Sequence, residues 1–176
     1  MLKILYFYKY CILGGVTTQL ANRLHFLRDS FDPHFAFLRD HGGKVAFNEF
    51  SNVCILETVD QIVEYLKLND FDVIVSIDTY EIYDALKAID YKKTVIHEVH
   101  TTYPQALQKL ELMKEQLPFE LVITPSKYME SLLTELGLEN IITIENCLDT
   151  NLFKFDERVS IHNTNVKLSN VKAKYV

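Results

Sequence analysis

Apolar residues along this chain follow two alternating patterns. Short continuous runs, such as Leu2-Lys3-Ile4-Leu5-Tyr6-Phe7-Tyr8 and Phe71-Asp72-Val73-Ile74-Val75-Ser76-Ile77, read as buried strands. Between them, apolar positions recur every three or four residues, the spacing of a helix packed by one face. The first helix follows Gly14-Gly15, with Val16, Leu20, Leu24 and Leu27 facing inward and Thr17, Gln19, Asn22 and Arg23 outward. Asp32-Pro33 marks a break before a strand at His34 to Leu38, and Val45-Ala46-Phe47 reads as a short extended piece. Val53 to Leu56 is a strand. Thr58 and Gln61 form a capping box for a helix with Val59, Ile62, Val63 and Leu66 on one face.

The alternation continues. Asp78 or Thr79 is the expected cap of a helix with Ile82, Ala85, Leu86 and Ile89 inward. Thr94-Val95-Ile96 is a strand, Pro104 suits a first helical turn, and Ala106, Leu107, Leu110, Met113 and Leu117 share a face. Phe119 to Thr124 is a strand, Ser126 caps a helix that Gly137 ends, and Ile141 to Ile144 is the last clear strand. Strands alternating with amphipathic helices predict an α/β, Rossmann-like domain with a mostly parallel sheet between two helical layers. Residues 1–155 are expected to form this domain. Residues 156–176 lack a helical face and read as a linker followed by the truncated start of a second domain.

Composition narrows the classes. The chain has 176 residues, 48% hydrophobic and 24% charged, which suffices for one real core. A formal net charge of −6 without a basic stripe argues against nucleic acid. No apolar run approaches the roughly 20 residues of a spanning helix, and Met1 leads straight into a strand, so a cytoplasmic home is expected. Cys11, Cys54 and Cys147 lie far apart without C-x-x-C spacing, which favours neither a disulfide framework nor zinc.

Candidate chemistry lies where strands end, because ligands of such sheets bind at the carboxyl edge. Gly14 and Gly15 open a helix N-terminus whose free N–H groups suit a phosphate, or else simply make a tight turn. His97 and His100 flank Glu98. On an extended segment they point to opposite faces, so a shared metal is not expected. His97 suits a structural role, and His100, beside Thr101 and Thr102, suits hydrogen bonding or acid–base work. Lys127, unfavourable against the helix dipole in a first turn, suggests an anion contact. Asn146 and Asp149 suit a turn into the linker. No G-x-S-x-G elbow is present.

Taken together these segments resemble a known family. Leu13-Gly14-Gly15-Val16-Thr17-Thr18-Gln19-Leu20-Ala21 resembles the "GG-V-x-T…L-A" opening of retaining glycosyltransferases with two Rossmann-like halves, the GT-B fold of glycosyltransferase family 4 and its relatives. His97-Glu98-Val99-His100-Thr101 resembles their His-containing segment. Val122-Ile123-Thr124-Pro125-Ser126-Lys127 is similar to their "V-x-x-P-S-x" step, and Ile144 to Phe153 to their "I-x-N-G-V-D-x-x-x-F" passage, with Cys147 in place of the usual glycine.

The resemblance implies one half of a GT-B fold, the N-terminal, acceptor-side domain of an enzyme that transfers a sugar from a nucleotide diphosphate sugar with retention. It implies no cofactor beyond that donor. His100 would contact the transferring sugar, with His97 as the fallback in another register. Gly14 and Gly15 would approach donor phosphates or acceptor, Thr101 would position the acceptor, and Lys127 would contribute at most an outlying contact. The mechanism would be electrostatic positioning and stabilisation of the leaving diphosphate. The basic residue and the paired glutamates of the donor-binding half have no match here, so a C-terminal donor domain is expected as partner and this chain alone as a poor catalyst. Lipid acceptors are common in such enzymes, so peripheral membrane contact is compatible, although no basic amphipathic helix calls for it.

Two alternatives stand beside this reading. A non-catalytic α/β ligand-binding module would be favoured by a stop codon after Val176. A sugar-nucleotide epimerase would need acid–base carboxylates in the cleft.

Overall fold

The computed structural model describes residues 1–47 and 52–146. The expected passage at Cys147 to Phe153, Asp149 and the 156–176 segment lie outside the described residues. Seven strands form one parallel sheet: β1 (Leu2–Cys11), β2 (Phe31–Asp40), β3 (Val53–Ile55), β4 (Val73–Ile77), β5 (Thr94–Glu98), β6 (Leu121–Thr124) and β7 (Ile141–Thr143). Their order is β3-β2-β1-β4-β5-β6-β7. Among the described residues the α-helices are α1 (Gly15–Leu27), α2 (Val59–Leu68), α3 (Glu81–Ala88), α4 (Pro104–Met113) and α5 (Lys127–Glu135).

β1 pairs with β2 on one side and β4 on the other, so the first strand is interior, as its apolar run requires. Its side chains alternate between faces. Ile4 and Tyr6 join Phe35, Phe37, Leu20 and Leu24 in the core beneath α1, while Leu5 and Phe7 join Ile62, Leu66, Ile82 and Leu86 beneath α2 and α3. A third cluster under α4 and α5 holds Leu110, Val122, Met129 and Leu133. Each fully buried Leu, Ile or Phe contributes roughly 1.5–3 kcal/mol by leaving water.

The two faces are covered unequally. Helices α2 to α5 pack on one face. On the other, among the described residues, α1 covers β1 and β2, and an apolar groove of about 390 Å³ lies over Ile4, Val73, Val75, Ile96 and Ile123.

Several local expectations are corrected. Pro33 does not break the chain; it lies within β2, opposite Ile4 of β1. The Phe35 N–H donates to Asn52 O on the β3 side, so the Pro33 nitrogen two residues earlier faces the same side, before β3 pairing begins at Val53. The missing donor therefore costs no ladder bond. Val45 to Phe47 is not extended but part of a 3-10 helix, Gly43–Phe47, that buries Phe47 against Phe35 and Phe37. Thr17 belongs to the buried stripe of α1 with Leu20 and Leu24.

Candidate functional site

The strand order reverses direction at β1 and β4: β1 to β3 proceed to one edge, and the chain then returns to place β4 on the other side of β1. Such a switch point opens a crevice at the strands' carboxyl ends. On one side stands the end of β1. The chain leaves Cys11 through Ile12 and Leu13, both exposed, and enters α1 with Gly14 as its extended N-cap. Gly14 makes no side-chain cap bond, and the first turn holds no acidic residue. The first-turn N–H groups and the positive end of the dipole therefore lie at the carboxyl end of β1. A Cβ built on Gly15 meets nothing within 4 Å.

The turn is held from behind by Gly43. A Cβ there would sit 2.5 Å from the Cys11 carbonyl carbon and from the Ile12 nitrogen, so the 3-10 helix approaches the end of β1 as closely as backbones allow. His41 N–H donates to Cys11 O at 2.8 Å and fastens the same junction.

On the other side stands Asp78, directly after β4, with φ of +43°. That left-handed backbone is uncommon for a non-glycine residue and costs on the order of 1–2 kcal/mol. The turn directs the Asp78 carboxylate to the His100 backbone N–H, at 3.1 and 3.2 Å for its two oxygens. Burial pushes its carboxyl up to about 6, against the lowering effect of the His100 N–H. Neither Asp78 nor Thr79 caps α3: Thr79 Oγ1 donates to Ile77 O, and the Tyr80 N–H is met by Glu81. The expectation of a cap fails because the turn is spent on holding the next loop.

β5 separates its residues by parity. Val95, His97 and Val99 face α3 and α4, whereas Ile96, Glu98 and His100 face the α1 side. His97 is fully buried. Its Nδ1 lies 2.7 Å from the Tyr83 hydroxyl, its ring stacks on Phe119, and burial lowers its pKa to about 4. His97 is therefore a core residue that does not reach the crevice, and the fallback register is not supported.

His100 does reach the edge. Its Nε2 lies 2.6 Å from Glu98 Oε1, and the Arg23 guanidinium grips both Glu98 oxygens at 2.8 and 2.9 Å. Glu98 is 1% exposed. Thr101, half-buried, follows His100 and accepts weakly from Tyr103 N–H at 3.5 Å. Lys127 opens α5 after β6, beyond β5 from Asp78. Its ammonium is exposed and pairs with Glu130 at 2.7 Å, which answers the dipole penalty within the same turn. The topology thus brings Gly14, Gly15, Asp78, His100 and Thr101 to the carboxyl ends of the adjacent strands β1, β4 and β5, whereas His97 is buried in the core and Lys127 lies past the end of β6.

Arg23 and Glu98 are functional candidates that the sequence pattern passes over. One signal was available: an acid at the inward parity of a buried strand needs a cation, and Arg23 sits beside Leu24 on α1.

No protein-family model matches the chain, and no curated protein matches it significantly by sequence. Solved structures match it in fold. Anabaena Alr3699/HepE in complex with UDP-glucose superposes with a TM-score of 0.70 at 17% identity, over 90% of this chain and 47% of that one. A UDP-N-acetylglucosamine 2-epimerase gives 0.58 at 14% identity, over 82% and 48%. The chain spans about half the length of the structures it matches. The fold is that of a Rossmann-like half-domain, as the GT-B-like motifs imply.

Proposed function

We propose that this chain is the N-terminal, acceptor-side half of a retaining glycosyltransferase that uses a nucleotide diphosphate sugar. The observation that carries the reading is the switch-point crevice, with an uncapped glycine-opened helix on one wall and an anchored histidine on the other. Four family-like motifs in order support it, and three of them fall on that edge of the sheet. The fold likeness to a structure holding UDP-glucose supports it further. In this reading the α1 N–H groups receive an anionic diphosphate, while His100 and Thr101 meet the sugar or acceptor hydroxyls. The donor's remaining contacts come from a second domain beyond residues 156–176, and the site lies in the cytoplasm.

One observation favours a second reading, a sugar-nucleotide epimerase. Asp78 is a carboxyl in the crevice pushed up to about 6, mainly by burial, which suits proton transfer near neutral pH. The test is product analysis on the complete natural protein. With UDP-glucose and an acceptor panel, the transferase reading expects UDP release and a new glycoside of unchanged anomeric configuration. With UDP-N-acetylglucosamine alone, inversion at C2 would establish the epimerase instead, and neither product would defeat both.

A further inference from the structure

Glu98 is a carboxylate with almost no access to water, and such a group persists only when paired and hydrogen-bonded. Arg23 supplies a bidentate fork to its two oxygens. Burial pushes the Glu98 carboxyl up, but hydrogen bonds from His100 and Arg23 outweigh it and hold the carboxyl below its ordinary value. An ionised carboxylate can only accept. At 2.6 Å, His100 Nε2 must therefore be the donor, so its proton is assigned to Nε2. In a neutral imidazole that leaves the lone pair on Nδ1. Among the described residues no hydrogen bond engages Nδ1.

The main chain is fixed as well. The His100 N–H is bound by both oxygens of Asp78, itself set by the left-handed turn after β4. Ring and backbone are thus anchored from two strands, and rotation of the imidazole would sacrifice a charge-assisted bond.

We infer that Glu98, clamped by Arg23, is a positioning residue that presents His100 Nδ1 as a hydrogen-bond acceptor to a ligand hydroxyl. A lone pair there repels phosphate oxygens and attracts O–H donors. It follows that the ligand lies with one polarity, its anionic group at Gly14–Gly15 and its hydroxyl-bearing part at His100. The ligand's identity rests on the nucleotide-sugar reading; the tautomer does not.

The test is a long-range proton–nitrogen NMR correlation of the histidine rings in the complete natural protein, alone and with UDP-glucose. The expected spectrum shows His100 with a protonated Nε2 and a bare Nδ1, and the Nδ1 resonance moves when UDP-glucose is added. Glu98→Gln should convert His100 to a tautomer mixture and weaken UDP-glucose roughly 3- to 10-fold, the range of one ordinary hydrogen bond. If that variant does not fold, Arg23→Lys, which keeps the charge and loses the fork, should produce a partial shift toward the mixture. A wild-type His100 protonated on Nδ1, or averaged between tautomers, overturns the inference whatever binds. The expected tautomer with no response to UDP-glucose would support the positioning by Glu98 and remove the nucleotide-sugar reading.

Discussion

Two glycines on the same edge illustrate how single atoms position this crevice. Gly43 packs against the backbone at the end of β1, and an added methyl group has nowhere to go. Gly43→Ala should lower stability by about 1–3 kcal/mol, the usual cost of overpacking, measurable by urea denaturation. Gly15 faces open space. Gly15→Ala should leave stability unchanged or slightly raised and selectively weaken UDP-glucose, since the methyl group stands where the ligand would approach. Two titratable groups pull in opposite directions with pH. His97 has its pKa lowered from 6.5 to about 4, so its contribution is present above pH 6.5 and is lost as pH falls toward 4, by roughly 3 kcal/mol. Asp78 is raised from 3.8 to about 6, so its contribution is present below pH 3.8 and is lost as pH rises through 6. The two slopes oppose each other between pH 4 and 6. Asp78→Asn removes one of them, and its stability, measured by denaturation at several pH values, should fall more steeply on acidification than that of the wild type. An equal slope in both proteins would deny the Asp78 shift. His97 was legible in part: its parity with Val95 signals burial, whereas its partner Tyr83 lies 14 residues away, out of reach of any local pattern.

Among the elements, the helices were most legible where their signals are local. The capping box of α2 is formed as read, with Thr58 Oγ1 accepting from Gln61 N–H and the Gln61 side chain accepting from Thr58 N–H. Thr58→Ala should cost about 1 kcal/mol, seen as a lower denaturation midpoint with an unchanged slope. Gly137 ends α5 as expected, at φ +76°, with Leu138 N–H closing on Leu133 O. What failed locally was decided by neighbours. Pro33 lies in a strand because its nitrogen faces a side that β3 has not yet joined. Thr17 is buried because α1 lies flat on β1 and β2. Glu98 looked like a spacer between two histidines, and only the sheet shows that it shares its face with Arg23 while His97 does not.

At the scale of the whole molecule, the topology was readable from the alternation of strands and helices, and the interior position of β1 from its apolar run. The register that pairs Ile77 with Glu98, and so brings the Asp78 carboxylate to the His100 N–H, was not, because pairing across strands leaves no trace in one sequence. The strand order sets the scale of the site: β1 and β5 flank β4, so their carboxyl ends stand about two strand spacings apart, roughly 10 Å, with the end of β4 between them. The measurement that tests this arrangement most directly is a titration of the ¹⁵N-labelled chain with UDP-glucose into the millimolar range, followed amide by amide. Shifts concentrated at Gly14, Gly15, Val16, His100 and Thr101, with Lys127 and Glu130 unmoved, are the expected result. Shifts centred elsewhere, for instance on the depression between Lys114 and Asn140 at the opposite end of the strands, or no shift at all, would contradict the assignment of the crevice as a nucleotide-sugar site.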